Sequence, residues 1–257
     1  MSLRLVLVFA LSLAALPAVS QDVVILGEVH DNPAHHAEQA RRVVALNPQA
    51  LVFEMLTPDQ AARVTSGLIA DPEAMAEALD WAESGWPDFA MYHPIIAAAP
   101  DAAIYGAQVP RDAARDVFGT GAASAFGPDA AAYGLNEPLP EAEQEMREAM
   151  QMSAHCDALP EKMLSGMVAV QRLRDAVLAR AVVQAMDATG GPAAVITGNG
   201  HARRDWGVPA YVVRVAPDLD VHVLGQTEDG APLAGGFDEV VSAPAAERPD
   251  PCAAFAD

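Results

Sequence analysis

Two short motifs place histidines directly after runs of aliphatic residues. The first, Gly-Glu-Val-His at residues 27–30, follows the run 23–26, and the second, Gly-Asn-Gly-His at 198–201, follows the run 194–196. Aliphatic runs that end at glycine are typical of buried strands in a parallel sheet. Ligands of open α/β sheets bind where such strands end. The two motifs therefore predict one cleft that receives Glu28, His30 and His201.

Further polar residues follow other predicted strands. Glu54 ends the run 50–53, and Arg111 lies shortly after the run 102–106. A buried carboxylate without a partner is costly, so Glu28 and Glu54 are expected to bind a partner or to take part in chemistry. Carboxylates beside imidazoles suit acid–base catalysis or a metal-activated water. The candidate catalytic residues are Glu28, His30, Glu54 and His201. The alternative is structural: Glu28 would cap the next helix, and His30 would bind backbone.

An aromatic cluster lies between residues 81 and 93 and contains Trp81, Trp86, Phe89, Tyr92 and His93. Loop aromatics beside a cleft can stack on a flat ligand, and the alternative is ordinary packing of a helical edge. A tyrosine phenolate is also a known axial ligand of haem iron.

Several motifs of other chemistries are absent from the sequence. It contains no Gly-x-Ser-x-Gly nucleophile elbow, phosphate-binding loop, His-Glu-x-x-His zinc motif or Cys-x-x-Cys-His haem-attachment motif. The two cysteines, Cys156 and Cys252, lack the spacing of a structural zinc site. In an exported chain an even pair predicts one disulfide, and the alternative is two free thiols.

The first 20 residues have the pattern of a secretory signal. Arg4 precedes an apolar stretch at 5–16, and small residues occupy positions 18 and 20. An uncleaved anchor is the alternative. No cysteine follows the apolar stretch, so we expect a soluble periplasmic protein without a lipid anchor.

The formal net charge is −20. A surface this acidic repels the phosphates of nucleic acids and anionic membranes. We therefore expect no nucleic-acid partner.

Strand and helix patterns alternate along the first half and return at the end, which predicts an α/β fold: a mainly parallel sheet flanked by helices, with a smaller helical subdomain. The predicted domain covers 21–225, with a helical insertion or lid at about 111–165 and a loose Pro/Gly-rich tail at 226–257. The predicted strands are 23–26, 50–53, 102–106, 193–197, 211–215 and 221–224. The predicted helices are 33–46, 58–68, 72–82, 141–152 and 160–186.

Taken in order, the motifs resemble those of the ChaN-like haem-binding uptake family, within the Tiki and erythromycin-esterase-like superfamily. The matching stretches are 27–32 with His35, His36 and Gln39; 53–55 with Gln60; Trp86 with Tyr92 and Pro94; Gln171 with Arg174 and Asp175; and 198–201 with 207–209. The resemblance spans the chain to about residue 224.

This resemblance implies a periplasmic haem-binding protein of iron uptake, with Tyr92 as the ligand of the haem iron. Arg111, His30 or His201 would meet the propionates, and Trp86 would line the ring. The implied partners are haem, an outer-membrane haem receptor system and a second copy that shares the haems.

Two other functions remain open at this point. Tiki relatives are metalloproteases, so the alternative is a hydrolase with a divalent metal on Glu28, His30 and His201. A non-catalytic binding module is the third hypothesis.

Overall fold

The computed structural model describes residues 21–250 and 252–253. The predicted secretory signal at 1–20 lies outside the described residues. Within the described part of the chain, no helix is both long and apolar enough to cross a bilayer.

A six-stranded sheet forms the centre of the fold, and every neighbouring pair of strands is parallel. The strands are β1 Val23–Glu28, β2 Ala50–Phe53, β3 Ala103–Gly106, β4 Ala193–Gly198, β5 Val221–Glu228 and β6 Glu239–Ala243. Their order is β3-β2-β4-β1-β5-β6, so β4 returns to lie between β1 and β2. The register pairs Glu28 with Gly198, which brings the two histidine motifs side by side.

Helices cover both faces of the sheet. They are α1 Pro33–Leu46, α2 Pro58–Ala61, α3 Ser66–Ile69, α4 Pro72–Ala78, α5 Trp81–Ser84, α6 Phe89–Ala97, α7 Arg111–Thr120, α8 Ala122–Phe126, α9 Glu141–Ala154, α10 Glu161–Thr189, α11 Asn199–Ala202 and α12 Val208–Val215, with a 3₁₀ turn at Pro128–Ala131. The start of α1 shows how local sequence determines where a helix begins. The Asn32 side chain accepts a hydrogen bond from the Ala34 amide, and Pro33 fills the first turn, where a missing N–H costs nothing.

Alternation along the strands divides the core into two clusters. Ile25, Val195 and Val223 face α7, α8, α10 and α12, whereas Leu26, Ile196 and Leu224 face α1 and α4–α6. Since successive side chains point to opposite faces, Glu28 lies on the α6 side and Glu54 on the α10 side. Because side chains alternate between the two faces of the sheet, the polar residues at the strand ends form two sets, one on each face.

The predicted α/β fold is confirmed, and some of its segments need correction. The helices predicted at 58–68 and 72–82 are each interrupted, the first as α2 and α3 and the second as α4 and α5. Residues 211–215 are not a strand but the end of α12, whose packing on α10 outweighs the β-propensity of Val212, Val213 and Val215. The loose tail predicted after residue 225 is wrong for 226–228 and 239–243. The first completes β5 and the second forms β6, which pairs with β5 in register Gly225–Val240.

The predicted disulfide joins Cys156 and Cys252, with an S–S distance of 2.01 Å. Cys156 follows α9, and Cys252 follows β6 by nine residues. The bond therefore ties the last described residues to the helical middle of the chain. That middle segment, α7–α9, packs against α10.

Candidate functional site

Glu28 ends β1 and is the centre of the set on the α6 side. Its side chain is buried, and Oε1 accepts a hydrogen bond from the Tyr92 hydroxyl at 3.0 Å. The same oxygen lies 2.7 Å from Nδ1 of His30. Nδ1 of His36 lies 3.6 Å from Oε2. Glu28 is thus a buried carboxylate held between a phenol and two imidazoles.

His30 is the member of this set that reaches the surface. Its side chain is 33% exposed, and its ring lies 4.9 Å from the ring of Trp86. Burial by itself would lower the pKa of His30, but the hydrogen bond with Glu28 and the negative charges of Glu54 and Glu28 together raise it. A Cβ on Gly198 would lie 2.8 Å from Nε2 of His30, so the glycine makes room for the ring. A carboxylate on one nitrogen is the arrangement that orients a metal-ligating imidazole.

Tyr92 lies on α6 and has no solvent-exposed surface. Burial, and then the neighbouring Glu28 carboxylate, raise the pKa of its phenol well above the usual range. The ring packs against Trp81 at 5.0 Å and His36 at 4.4 Å. The phenol predicted to bind the haem iron is thus enclosed in this structure and donates its hydrogen to a carboxylate. In this structure Tyr92 holds Glu28 in place.

A second set occupies the α10 side of the same edge. Nδ1 of His201 lies 2.6 Å from Oδ1 of Asp175, and Nε2 lies 3.4 Å from Oε1 of Glu54. Oε2 of Glu54 accepts hydrogen bonds from the Thr197 hydroxyl at 2.6 Å and the Gly198 amide at 2.9 Å. Burial by itself would lower the pKa of His201, but the two carboxylates raise it to about 10. His201 is therefore an imidazolium that bridges β2 and α10.

The carboxylates of this set respond differently to the same cation. Burial would raise the pKa of Glu54, but His201 and then His30 hold it well below its usual range. Burial is the dominant influence on Asp175, and it raises the pKa of that carboxyl. His201 is the shared counter-ion of the two carboxylates.

A cleft of about 220 Å³, which we call the first cleft, lies beside the two sets: Glu54 of the second set lines it, and its wall residue Trp86 contacts the ring of His30. Its walls include Trp86, Arg111, Arg174 and the edge of Glu54. Among the described residues, eight arginines have a carboxylate partner and five have none, and two of those five, Arg111 and Arg174, line this cleft. The buried Nε1 of Trp86 also lacks a hydrogen-bond acceptor in the described part of the chain. The first cleft therefore offers unpaired donors and positive charge in a strongly acidic protein.

The structure brings the predicted site residues to one edge, with different degrees of access. His30, Trp86 and Arg111 are at least partly exposed, whereas Glu28, Glu54 and His201 are buried. Sequence reasoning assigned no role to Asp175 or Arg174. The available signal was the spacing of Gln171 and Asp175, which places both on one face of α10 beside His201.

The predicted divalent-metal set of Glu28, His30 and His201 does not form. Across residues 21–250 and 252–253, no group of three His, Cys, Asp or Glu side chains is arranged to hold a metal ion. Glu28 and His201 belong to sets on opposite sides of the sheet, and each is already bound by its own partners.

The fold has a clear relative among solved structures. ChaN of Campylobacter jejuni, described with cofacial haem binding, has a TM-score of 0.63 and 17% sequence identity, and the match covers 83% of this chain and 84% of that chain. The type III effector HopBA1 is more distant, with a TM-score of 0.46, 12% identity and coverage of 87% and 88%. A succinoglycan biosynthesis protein has a TM-score of 0.45, 13% identity and coverage of 82% and 67%.

No curated protein sequence matches the chain. A family model described as haem-binding uptake, Tiki superfamily, ChaN matches residues 16–212. With the parallel α/β fold and the strand-end site described above, this match over most of the chain shows that the protein belongs to the ChaN-type haem-binding uptake family of the Tiki superfamily.

Proposed function

We propose that this protein binds haem at the first cleft and serves haem or iron uptake in the periplasm. Family membership supports haem as the cargo. The periplasmic location is supported by the signal-like pattern of the first 20 residues and by the pair of cysteines, which suits an oxidising compartment.

The observation that carries the proposal is the orientation of His30. Glu28 binds Nδ1, which leaves Nε2 as the free nitrogen of a half-exposed ring beside Trp86. Imidazole is a common axial ligand of haem iron, and a carboxylate on its other nitrogen raises its basicity. We therefore assign the iron ligand to His30 in place of Tyr92, whose phenol is enclosed. Tyr92 acts through Glu28 as a positioning residue.

The charge of the first cleft fits the rest of the ligand. Haem carries two propionates, and Arg111 and Arg174 are two guanidinium groups without carboxylate partners in the described chain. Charge-assisted hydrogen bonds from arginine to carboxylate are among the stronger polar contacts in proteins. Trp86 offers an aromatic ring at the same wall.

The size of the first cleft supports a shared ligand. Its volume of about 220 Å³ is below the ~300–1,000 Å³ of sites that enclose a drug-sized ligand. One copy of the chain would cover part of a haem and leave the rest in water. Because C. jejuni ChaN is described with cofacial haem binding, we propose that a second copy covers the remaining surface and that haems meet face to face between the copies.

A hemin titration followed by absorbance tests the proposal. We expect saturable hemin binding by the wild type, a loss of at least tenfold in affinity for His30→Ala, and a change of no more than about threefold for Tyr92→Phe. Ultracentrifugation should detect a dimer that depends on hemin. If His30→Ala kept its hemin affinity and Tyr92→Phe lost it, the iron ligand would be Tyr92 and not His30.

A further inference from the structure

A second cleft lies between α9, α12 and the turn at 133–140, beside Arg172 of α10. It has a volume of about 220 Å³ and is lined by Tyr133, Arg147, Arg172, Trp206 and Tyr211 among others. None of these residues belongs to the first cleft or to the two strand-end sets. The second cleft thus has aromatic walls and several cations.

Three donors of this lining have no hydrogen-bond acceptor among the described residues. They are Nη1 of Arg147, Nε of Arg172 and Nε1 of Trp206, and all three atoms are buried. Arg147 is only 4% exposed and Trp206 only 6%. Buried N–H groups are nearly always paired in native proteins, so three unpaired donors around one cleft call for an acceptor.

Ion pairs and cation–π contacts hold the side chains of Arg147 and Trp206 in position. Arg203 stacks on the Trp206 ring at 3.6 Å, and Arg147 lies 5.0 Å from the same ring. Asp205 binds Arg203 at 2.6 Å, and Nε of Arg147 donates to Glu143 at 2.9 Å. Two guanidinium groups therefore contact the Trp206 ring, and each is paired with a carboxylate.

The charged groups around the second cleft do not pair off completely. Glu143, Asp205 and Glu137 are paired with Arg147, Arg203 and Arg214, respectively. Arg172 instead donates to the backbone carbonyls of Gly134 and Glu137, at 2.8 and 3.0 Å. One positive charge thus has no carboxylate partner, and it belongs to a residue with an unused Nε.

We propose that the second cleft binds a small monoanionic carboxylate with a flat apolar body. The carboxylate would accept from Arg172 and Arg147, and the apolar body would pack on the aromatic walls formed by Tyr133, Trp206 and Tyr211. The site is separate from the first cleft and does not depend on haem binding.

Indole N–H signals in a ¹H–¹⁵N NMR titration with benzoate test this site, because the described chain contains Trp81, Trp86 and Trp206 as distinct reporters. Single Trp→Phe variants assign the signals. We expect the Trp206 signal to shift saturably with benzoate and to stay in place with benzamide, which is neutral. Arg172→Gln should weaken benzoate binding at least tenfold.

The matched control is Arg115→Gln, an exposed arginine of α7 that lines neither cleft, which should leave benzoate binding unchanged. If Arg172→Gln does not fold by circular dichroism, Arg172→Lys keeps the charge and removes the Nε donor, and it should still weaken binding severalfold. A Trp206 signal that does not move, an equal response to benzamide, or unchanged affinity in the folded Arg172 variant would overturn the proposal.

Discussion

Replacing His201 by glutamine removes the cation that the buried carboxylates of Glu54 and Asp175 share. Both ring nitrogens face carboxylates, with Asp175 at 2.6 Å and Glu54 at 3.4 Å, and the side chain is 7% exposed. The pKa of His201 is raised to about 10 by these carboxylates, against 6.5 for an ordinary histidine. The variant leaves Glu54 and Asp175 buried without their shared counter-ion.

The sign and size of the effect follow from proton linkage. A group whose pKa is raised in the folded state stabilises the fold fully below its unfolded pKa, and this contribution disappears as pH rises through the folded pKa. Each pKa unit is worth about 1.4 kcal/mol, so His201 contributes about 5 kcal/mol of pH-dependent stability. That contribution is complete below pH 6.5 and is lost between about pH 6.5 and 10. Breaking a buried ion pair typically costs ~3–5 kcal/mol, which agrees in size.

Urea unfolding from pH 6 to pH 10 measures this contribution. We expect His201→Gln to lower the free energy of unfolding by about 3–5 kcal/mol at pH 6, and the gap to the wild type to shrink steadily toward pH 10. His222→Gln, a histidine on β5 outside this network, should keep the wild-type pH dependence. Parallel curves for the wild type and His201→Gln between pH 6.5 and 10 would refute the charged bridge.

Four other outcomes follow from the same geometry. Tyr92→Phe removes one of the two hydrogen-bond partners of Oε1 of the buried Glu28, leaving His30, and should cost about 1–3 kcal/mol in urea unfolding. Gly198→Ala places a Cβ 2.8 Å from Nε2 of His30 and should weaken hemin binding at least tenfold, whereas Gly119→Ala, with nothing within 4 Å of its Cβ, should not. Iron takes the neutral imidazole, so hemin affinity should rise with pH up to the raised pKa of His30 and then level off; a rise that continues to pH 10 would contradict histidine ligation. Replacing both cysteines by serine opens a loop of 96 residues and should cost about 2–5 kcal/mol, and reductant should lower the wild type to the same stability.

The strand-end residues were predictable because their signal is local. An aliphatic run, a glycine and then Glu28 with His30 indicate the end of a buried parallel strand, and the same holds for His201 after β4. The pairing of β1 with β4, however, joins strands that are far apart in the chain, because 164 residues separate the end of β1 from the start of β4. No local pattern carries that information.

The residues that sequence reasoning missed act through tertiary packing. Asp175 lies in the middle of α10; its spacing from Gln171 puts both on one helix face, but only the packing of α10 on the sheet edge makes His201 its partner. Tyr92 was predictable as an aromatic near the cleft, but its enclosure depends on how α6 packs beneath Glu28. The β-branched residues of α12 favour a strand by propensity, and their packing on α10 decides for a helix.

The most direct test of the account asks which side chain holds the iron. Hemin spectra of His30→Gly should lose the wild-type Soret band, and added imidazole should restore it by filling the space of the missing ring. Tyr92→Phe should keep the wild-type band without imidazole. A wild-type spectrum in His30→Gly without imidazole, together with a lost band in Tyr92→Phe, would contradict the assignment of the iron ligand to His30.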